Sequence, residues 1–135
     1  MKEFGSAQKA LWLFAGGGIG TLLRYYISSS SNRFFSSGFP VGTTIINLSG
    51  SFVIGFLWSL MEFVDMSPNI RAFLFIGFLG GYTTFSTFML ENLNLMRNNE
   101  IKGMIANIFI SNVLGIMLVV AGFVLGRYCI NLIRG

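Results

Sequence analysis

The stretch Gly80-Gly81-Tyr82-Thr83-Thr84-Phe85-Ser86-Thr87-Phe88 sets two adjacent glycines, three threonines and a serine inside a run, Ala72 to Leu90, that carries no charge. A run of that length predicts a membrane-crossing helix. Gly-Gly in its middle predicts a break, and freed backbone at membrane depth is tolerated only where protein buries it or it lines a polar cavity. Broken helices direct their carbonyls and helix ends toward ions and substrates. The stretch therefore reads as a place where a small ion is bound or moved.

Other polar residues fall on regular spacings. Thr43, Asn47, Ser51, Gly55 and Ser59 follow one another at intervals of four, as do Asn107, Ser111 and Gly115. Steps of four drift slowly around a helix of 3.6 residues per turn, so each set forms a stripe. Such residues can simply hydrogen-bond between helices. Read functionally, they are neutral donors lining a route for an anion. Phe85 and Phe88 share a helix face among Thr84, Ser86 and Thr87. Phenylalanine at this spacing usually packs, but an aromatic edge is positive and can face an anion without trapping it. Arg24 either snorkels to the interface or raises the anion potential of a vestibule. Glu91 lies on the Phe88 side of its helix and either caps locally or shapes the mouth of the path; Glu62 and Asp65 read as interfacial. No Asp or Glu lies mid-segment, which argues against a proton-coupled cation pump.

Composition agrees with a membrane setting. The 135 residues are 53% hydrophobic and 10% charged, well below the charge of a soluble domain, and leave no room for an added soluble domain. There is no histidine and one cysteine, Cys129, so zinc, haem and iron–sulfur sites and histidine acid–base catalysis are not expected. With no nucleophile–base pair, the chain does not read as an enzyme. The net charge of +4 is spread thinly near segment ends, which fits lipid headgroups and not nucleic acid.

Four elements must position these groups. The apolar runs predict an all-α integral membrane protein, one four-helix transmembrane domain over 1–135. Its helices fall near 10–31, 41–63, 69–97 and 101–131, the third broken at Gly80-Gly81. Asp65-Met66-Ser67-Pro68-Asn69 supplies a cap and turn before the third. The apolar N-terminal run lacks an Ala-x-Ala site, so a cleaved signal peptide is not expected. Gly16 with Gly20, Gly122 with Gly126, Ser51 with Gly55 and Ser111 with Gly115 supply small residues for close helix packing. Four crossings put Lys2, Lys9, Arg71, Arg127 and Arg134 on one side and Arg24, Arg33, Arg97 and Lys102 on the other. A split of five to four sets no clear orientation, and a chain inserting both ways can form an antiparallel dimer. Charge counting leaves equally open a single orientation set by Lys2 and Lys9.

The motifs resemble a known family. Gly16-Gly17-Gly18-Ile19-Gly20-Thr21-Leu22-Leu23-Arg24-Tyr25, Gly42-Thr43-Thr44-Ile45-Ile46-Asn47 with Gly50, and Gly77 through Phe88 with Glu91 are similar to signatures of the Fluc/CrcB fluoride channels. The resemblance spans all four segments. It implies an antiparallel, dual-topology homodimer in the bacterial inner (plasma) membrane, with two fluoride pores. The dimer would export cytoplasmic fluoride by passive electrodiffusion and so protect the cell. The pore positions carry over to Asn47, Phe85, Phe88 and Ser111, beside Thr84 and Thr87, with the two phenylalanines reaching one pore from opposite subunits. The vestibule carries over to Arg24, Glu91 and Thr43. A structural sodium ion is implied at the dimer centre, on the backbone carbonyls of Gly80 and Thr83. One position departs: Asn107 stands where members often have tyrosine. Two other readings compete. A proton-coupled exporter of the small multidrug-resistance type needs a carboxylate in its first helix, and none lies between Ala10 and Arg24. A non-transporting assembly subunit would explain the small residues but not the hydroxyls and paired phenylalanines after the glycines.

Overall fold

A computed structural model describes residues 2–35 and 38–134, and every described element is helical. Helix α1 runs Lys2–Phe34 and α2 runs Val41–Met61. Ser67 opens the next element as sequence chemistry requires. Its hydroxyl accepts the Ile70 N–H at 3.3 Å and Pro68 occupies the first turn, where a missing N–H does no harm. That element begins as α3, Pro68–Arg71, and widens into a π-helical segment, Ala72–Phe78. It closes as α4, Leu79–Tyr82. After an extended step at Thr83 and Thr84 the chain resumes as α5, Phe85–Arg97. A tight turn follows, in which Asn99 takes φ 61° and Glu100 N–H returns to the Leu95 carbonyl at 2.8 Å. Helix α6 then runs Ile101–Arg134.

The break differs from its expected place. Gly80 and Gly81 are helical, and the backbone leaves the helix at Thr83 (φ −79°, ψ 156°) and Thr84 (φ −148°, ψ 119°). Gly81 serves close approach: a Cβ there would stand 2.6 Å from the Gly17 carbonyl oxygen, whereas one on Gly80 would have room. A helix can hold a glycine where a neighbouring backbone needs its space, so Gly81 marks a contact rather than the interruption.

Glycine governs the packing of both main helix pairs. Helix α1 lies against the π segment and α4, and α2 lies against α6. A Cβ on Gly16 would meet the Phe73 carbonyl at 2.5 Å, and one on Gly20 would collide with the Phe78 carbonyl. On the other pair, Gly55 faces the Val119 carbonyl and Gly122 the Phe52 carbonyl, with no room for a methyl. Without a hydrophobic drive between helices in lipid, such backbone proximity supplies the dispersion contact that holds them. The outward faces are correspondingly apolar, with Phe14, Ile116, Val120 and Ile133 exposed. Among the described residues, three helical stretches are long and apolar enough to cross a membrane: Val41–Met61, Pro68–Arg97 and Ile101–Arg134. Helix α1 has the length, but Arg24, the glycines Gly16 to Gly18 and Tyr25-Tyr26 dilute its apolar run from Ala10 to Ile27.

Candidate functional site

The break is held from α2. Asn47 donates from Nδ2 to the Thr84 carbonyl at 3.1 Å, and Thr84 N–H donates to Asn47 Oδ1 at 2.9 Å. One side-chain amide thus engages both backbone groups of Thr84, giving its N–H the acceptor that the interrupted helix withholds. An amide NH2 carries two hydrogens, so Asn47 keeps a second donor. The Thr84 hydroxyl is the N-cap of α5, accepting Thr87 N–H at 3.3 Å and donating to Thr87 Oγ1 at 3.0 Å. Gly50 clears the space that the Thr83 methyl enters.

Two cavities meet at Thr84. The first, about 320 Å³, is lined by Asn47, Thr83, Thr84, Phe85, Phe88 and Ser111, with Asn112 beside them. Among the described residues, no carboxylate lines it. The Phe85 and Phe88 ring centroids stand 6.0 Å apart, tilted by 42°. Phe88 is 5% exposed and Phe85 72%, so one ring belongs to the chain's interior and the other faces outward. The second cavity, about 300 Å³, is lined by Arg24, Thr43, Thr84 and Thr87, with Thr21 and Ser28. Five of the six residues expected along the pore therefore share the first cavity, and Thr87 joins Arg24 and Thr43 in the second.

Electrostatically the second cavity is the more positive. Arg24 brings a guanidinium whose Nε is buried without a hydrogen-bond partner among the described residues. A fixed cation with an unspent N–H attracts an anion and any oxygen that can accept. Glu91 stands apart from both cavity linings: its Oε1 accepts the Thr43 hydroxyl at 2.6 Å, and its Oε2 is buried without a partner among the described residues. The Thr43 hydrogen is thereby committed to Glu91 and the Thr84 hydrogen to Thr87, leaving the Thr87 hydroxyl, with those of Thr21 and Ser28, as the cavity's donors for an ion beside Arg24.

The carbonyls of Gly80 and Thr83 lose their helical partners at the break. An uninterrupted helix would give Thr84 N–H to Gly80 and Thr87 N–H to Thr83. Asn47 takes the first and the Thr84 hydroxyl takes the second, which releases both oxygens. Gly80 is exposed, at the chain's surface. Among the described residues, no group of three or more His, Cys, Asp or Glu could serve as an alternative metal site.

Several contributors were not legible beforehand. Tyr82 bonds Ser49 through its hydroxyl at 2.8 Å, tying α4 to α2. Asn92 and Asn107 pair at 3.0 Å between α5 and α6, and Thr44 contacts Asn107 at 3.3 Å. Asn92 directly follows Glu91 near the polar end of its helix, a place where asparagine ordinarily meets water.

Comparison with known proteins places this geometry. Residues 11–123 match the family described as CrcB-like protein, Camphor Resistance (CrcB). The chain is 44% identical over 126 residues to a protein of Parabacteroides distasonis named Fluoride-specific ion channel FluC, covering 93% of this chain and 98% of that one. It is 46% identical over 117 residues to a protein of the same name from Hydrogenobaculum sp., covering 86% and 95%. A third, from Aquifex aeolicus, is 42% identical over 113 residues, covering 83% and 91%. With the match running from the first turns of α1 deep into α6, and the relatives aligned nearly end to end, the chain belongs to the CrcB family.

Proposed function

We propose that the chain is the subunit of a fluoride channel, a passive pathway and not an enzyme. The observation that carries this reading is the first cavity. It gathers an amide, hydroxyls and two aromatic rings around a space that no carboxylate among the described residues lines. Fluoride is small and strongly hydrated, so a path must replace its water with donors. Asn47 and Ser111 supply hydrogens, and the edges of Phe85 and Phe88 supply positive quadrupole. Arg24 gathers the anion in the adjoining cavity, and Thr84 and Thr87 stand between the two. Hydroxyls, amides and ring edges bind more weakly than a cation, so an ion can leave as well as enter. The names of the relatives support the choice of fluoride.

The working form in this reading is an antiparallel homodimer in the bacterial inner membrane, with α1 as a fourth crossing and two pores. The near-even split of basic residues supports dual topology. The outward-facing Phe85 supports a second subunit, since a largely exposed ring that also lines the first cavity would meet a neighbouring copy. The carbonyls of Gly80 and Thr83, two from each subunit, would hold a sodium ion at the dimer centre. Its charge would offset four converging carbonyl dipoles.

Liposomes holding the purified protein test the function. Fluoride should leave under a potassium-set voltage without a proton gradient, and chloride should stay. Equal release of both ions, or of neither, removes the reading.

A further inference from the structure

We propose that Asn92 and Asn107 form a buried, directional relay that positions the Ser111 hydroxyl on the anion path. The inference rests on the reading of the first cavity as that path. Asn107 is 1% exposed and Asn92 6%, although neither lines the cavity.

The direction follows from which atoms can donate. Asn92 Nδ2 donates to the Phe88 carbonyl at 2.8 Å, and a carbonyl only accepts. Asn92 must therefore turn its Oδ1 toward Asn107, whose Nδ2 donates to it at 3.0 Å. Asn107 in turn must present Oδ1 on its other side. Two hydroxyls face that oxygen, Thr44 at 3.3 Å and Ser111 at 3.4 Å. Thr44 has one hydrogen and a better-placed acceptor, the Pro40 carbonyl at 2.9 Å. Ser111 is left as the principal donor to Asn107. The backbone of α5 thus dictates, through two amides, where the hydrogen of a cavity-lining serine rests.

The Ser111 contact is long for a hydroxyl donor, and so weak. A hydrogen parked on a weak acceptor can swing to an arriving anion and return when the anion leaves. Were Asn107 free to flip, its NH2 would face Ser111 and the serine would become an acceptor, with no fixed place to return its hydrogen. Asn92 prevents the flip. It is a positioning residue that touches no ion and acts through Asn107.

The test combines flux with hydrogen exchange. Fluoride efflux is measured for the wild type, Asn92→Leu, Asn107→Leu, Ser111→Ala and Asn92→Leu/Ser111→Ala, each normalised to protein eluting as the wild type does on gel filtration. Both leucine variants should lose flux about tenfold, equivalent to about 1.4 kcal/mol on the barrier. The Asn92→Leu/Ser111→Ala protein should conduct like Ser111→Ala alone, because the relay acts only through that hydroxyl. If a single variant fails to fold, Asn92→Leu/Asn107→Leu leaves no unpaired amide between the two and should show the same loss. In asparagine-labelled wild type, the side-chain amides of Asn92 and Asn107 should exchange far more slowly than that of the exposed Asn94. Wild-type flux in the leucine variants, losses that multiply with Ser111→Ala, or exchange as fast as Asn94 would each overturn the relay. A wild type with protected amides but no fluoride release would instead remove the proposed function, and with it the relay's part in conduction.

Discussion

Replacing Asn47 by alanine would test the latch on the break. The substitution removes two hydrogen bonds, at 3.1 and 2.9 Å, and leaves the Thr84 N–H without a partner, while the Thr84 C=O, as the N-cap carbonyl of α5, keeps the first intrahelical bond. A typical hydrogen bond contributes about 1 kcal/mol net, while a fully buried orphan costs about 1–3 kcal/mol. Thr84 is half-buried and lines both cavities, so water can reach it in part. The expected loss is therefore about 2 kcal/mol, from one partly solvated orphan N–H together with one lost hydrogen bond. Asn47→Asp separates the two bonds. Its carboxylate still accepts Thr84 N–H, but it repels the Thr84 carbonyl and sets a negative charge on the path. It should lose at least as much stability as the alanine variant and abolish fluoride flux. Reversible unfolding in mixed micelles reads the stability, and liposome efflux reads the function. Wild-type stability and flux in Asn47→Ala would refute the latch, since the break would then be held by something else.

Phe85→Ile and Phe88→Ile should both impair flux, by about tenfold for each 1.4 kcal/mol of lost anion contact. Only Phe88→Ile should also lower the stability of the isolated chain, by about 1–3 kcal/mol for a misfitting swap at a buried ring. Full efflux per folded protein in both variants would move the anion route elsewhere. Gly20→Ala should prevent folding, because its methyl would collide with the Phe78 carbonyl. Gly18→Ala, with nothing within 4 Å, should leave yield and unfolding unchanged or slightly improved. A single cysteine placed between α1 and α2 in a Cys129-free background should be labelled from both faces of the cell membrane. Labelling from one face only would exclude dual topology.

What could be read from the chain depended on periodicity. Asn47, Thr43 and Ser51 announce themselves by recurring every fourth position on an apolar helix, and Phe85 and Phe88 by their company of hydroxyls. The place of the break was misread. Gly-Gly is a stronger local signal than Thr-Thr, yet Gly81 answers to Gly17 on another helix, a long-range demand with no local mark. The π-helical turn was likewise invisible, because Ala72–Phe78 is apolar throughout and nothing in its residues distinguishes one helical winding from another. The Asn92–Asn107 pair joins residues 15 apart across the Asn99 turn; Asn107 stands out on its stripe, but nothing local names Asn92 as its partner.

That π-helical turn gives the third element a spare residue. A π winding arises when one residue more than an α-helix needs is accommodated between fixed ends. Here the ends are fixed: Ser67 caps one, and Thr83 and Thr84 terminate the other. Gly16 and Gly77 pin the middle, their backbones close enough that a methyl on Gly77 would stand 3.0 Å from the Leu13 carbonyl. Removing one residue between Ala72 and Ile76 should let the stretch rewind as plain α-helix while both anchors stay in place. The same deletion between Phe85 and Glu91 would swing every later side chain of α5 by about 100° and lose its pairing with α6. Within the third element, length variation thus has a tolerant stretch, and it lies before the break, away from Phe85 and Phe88.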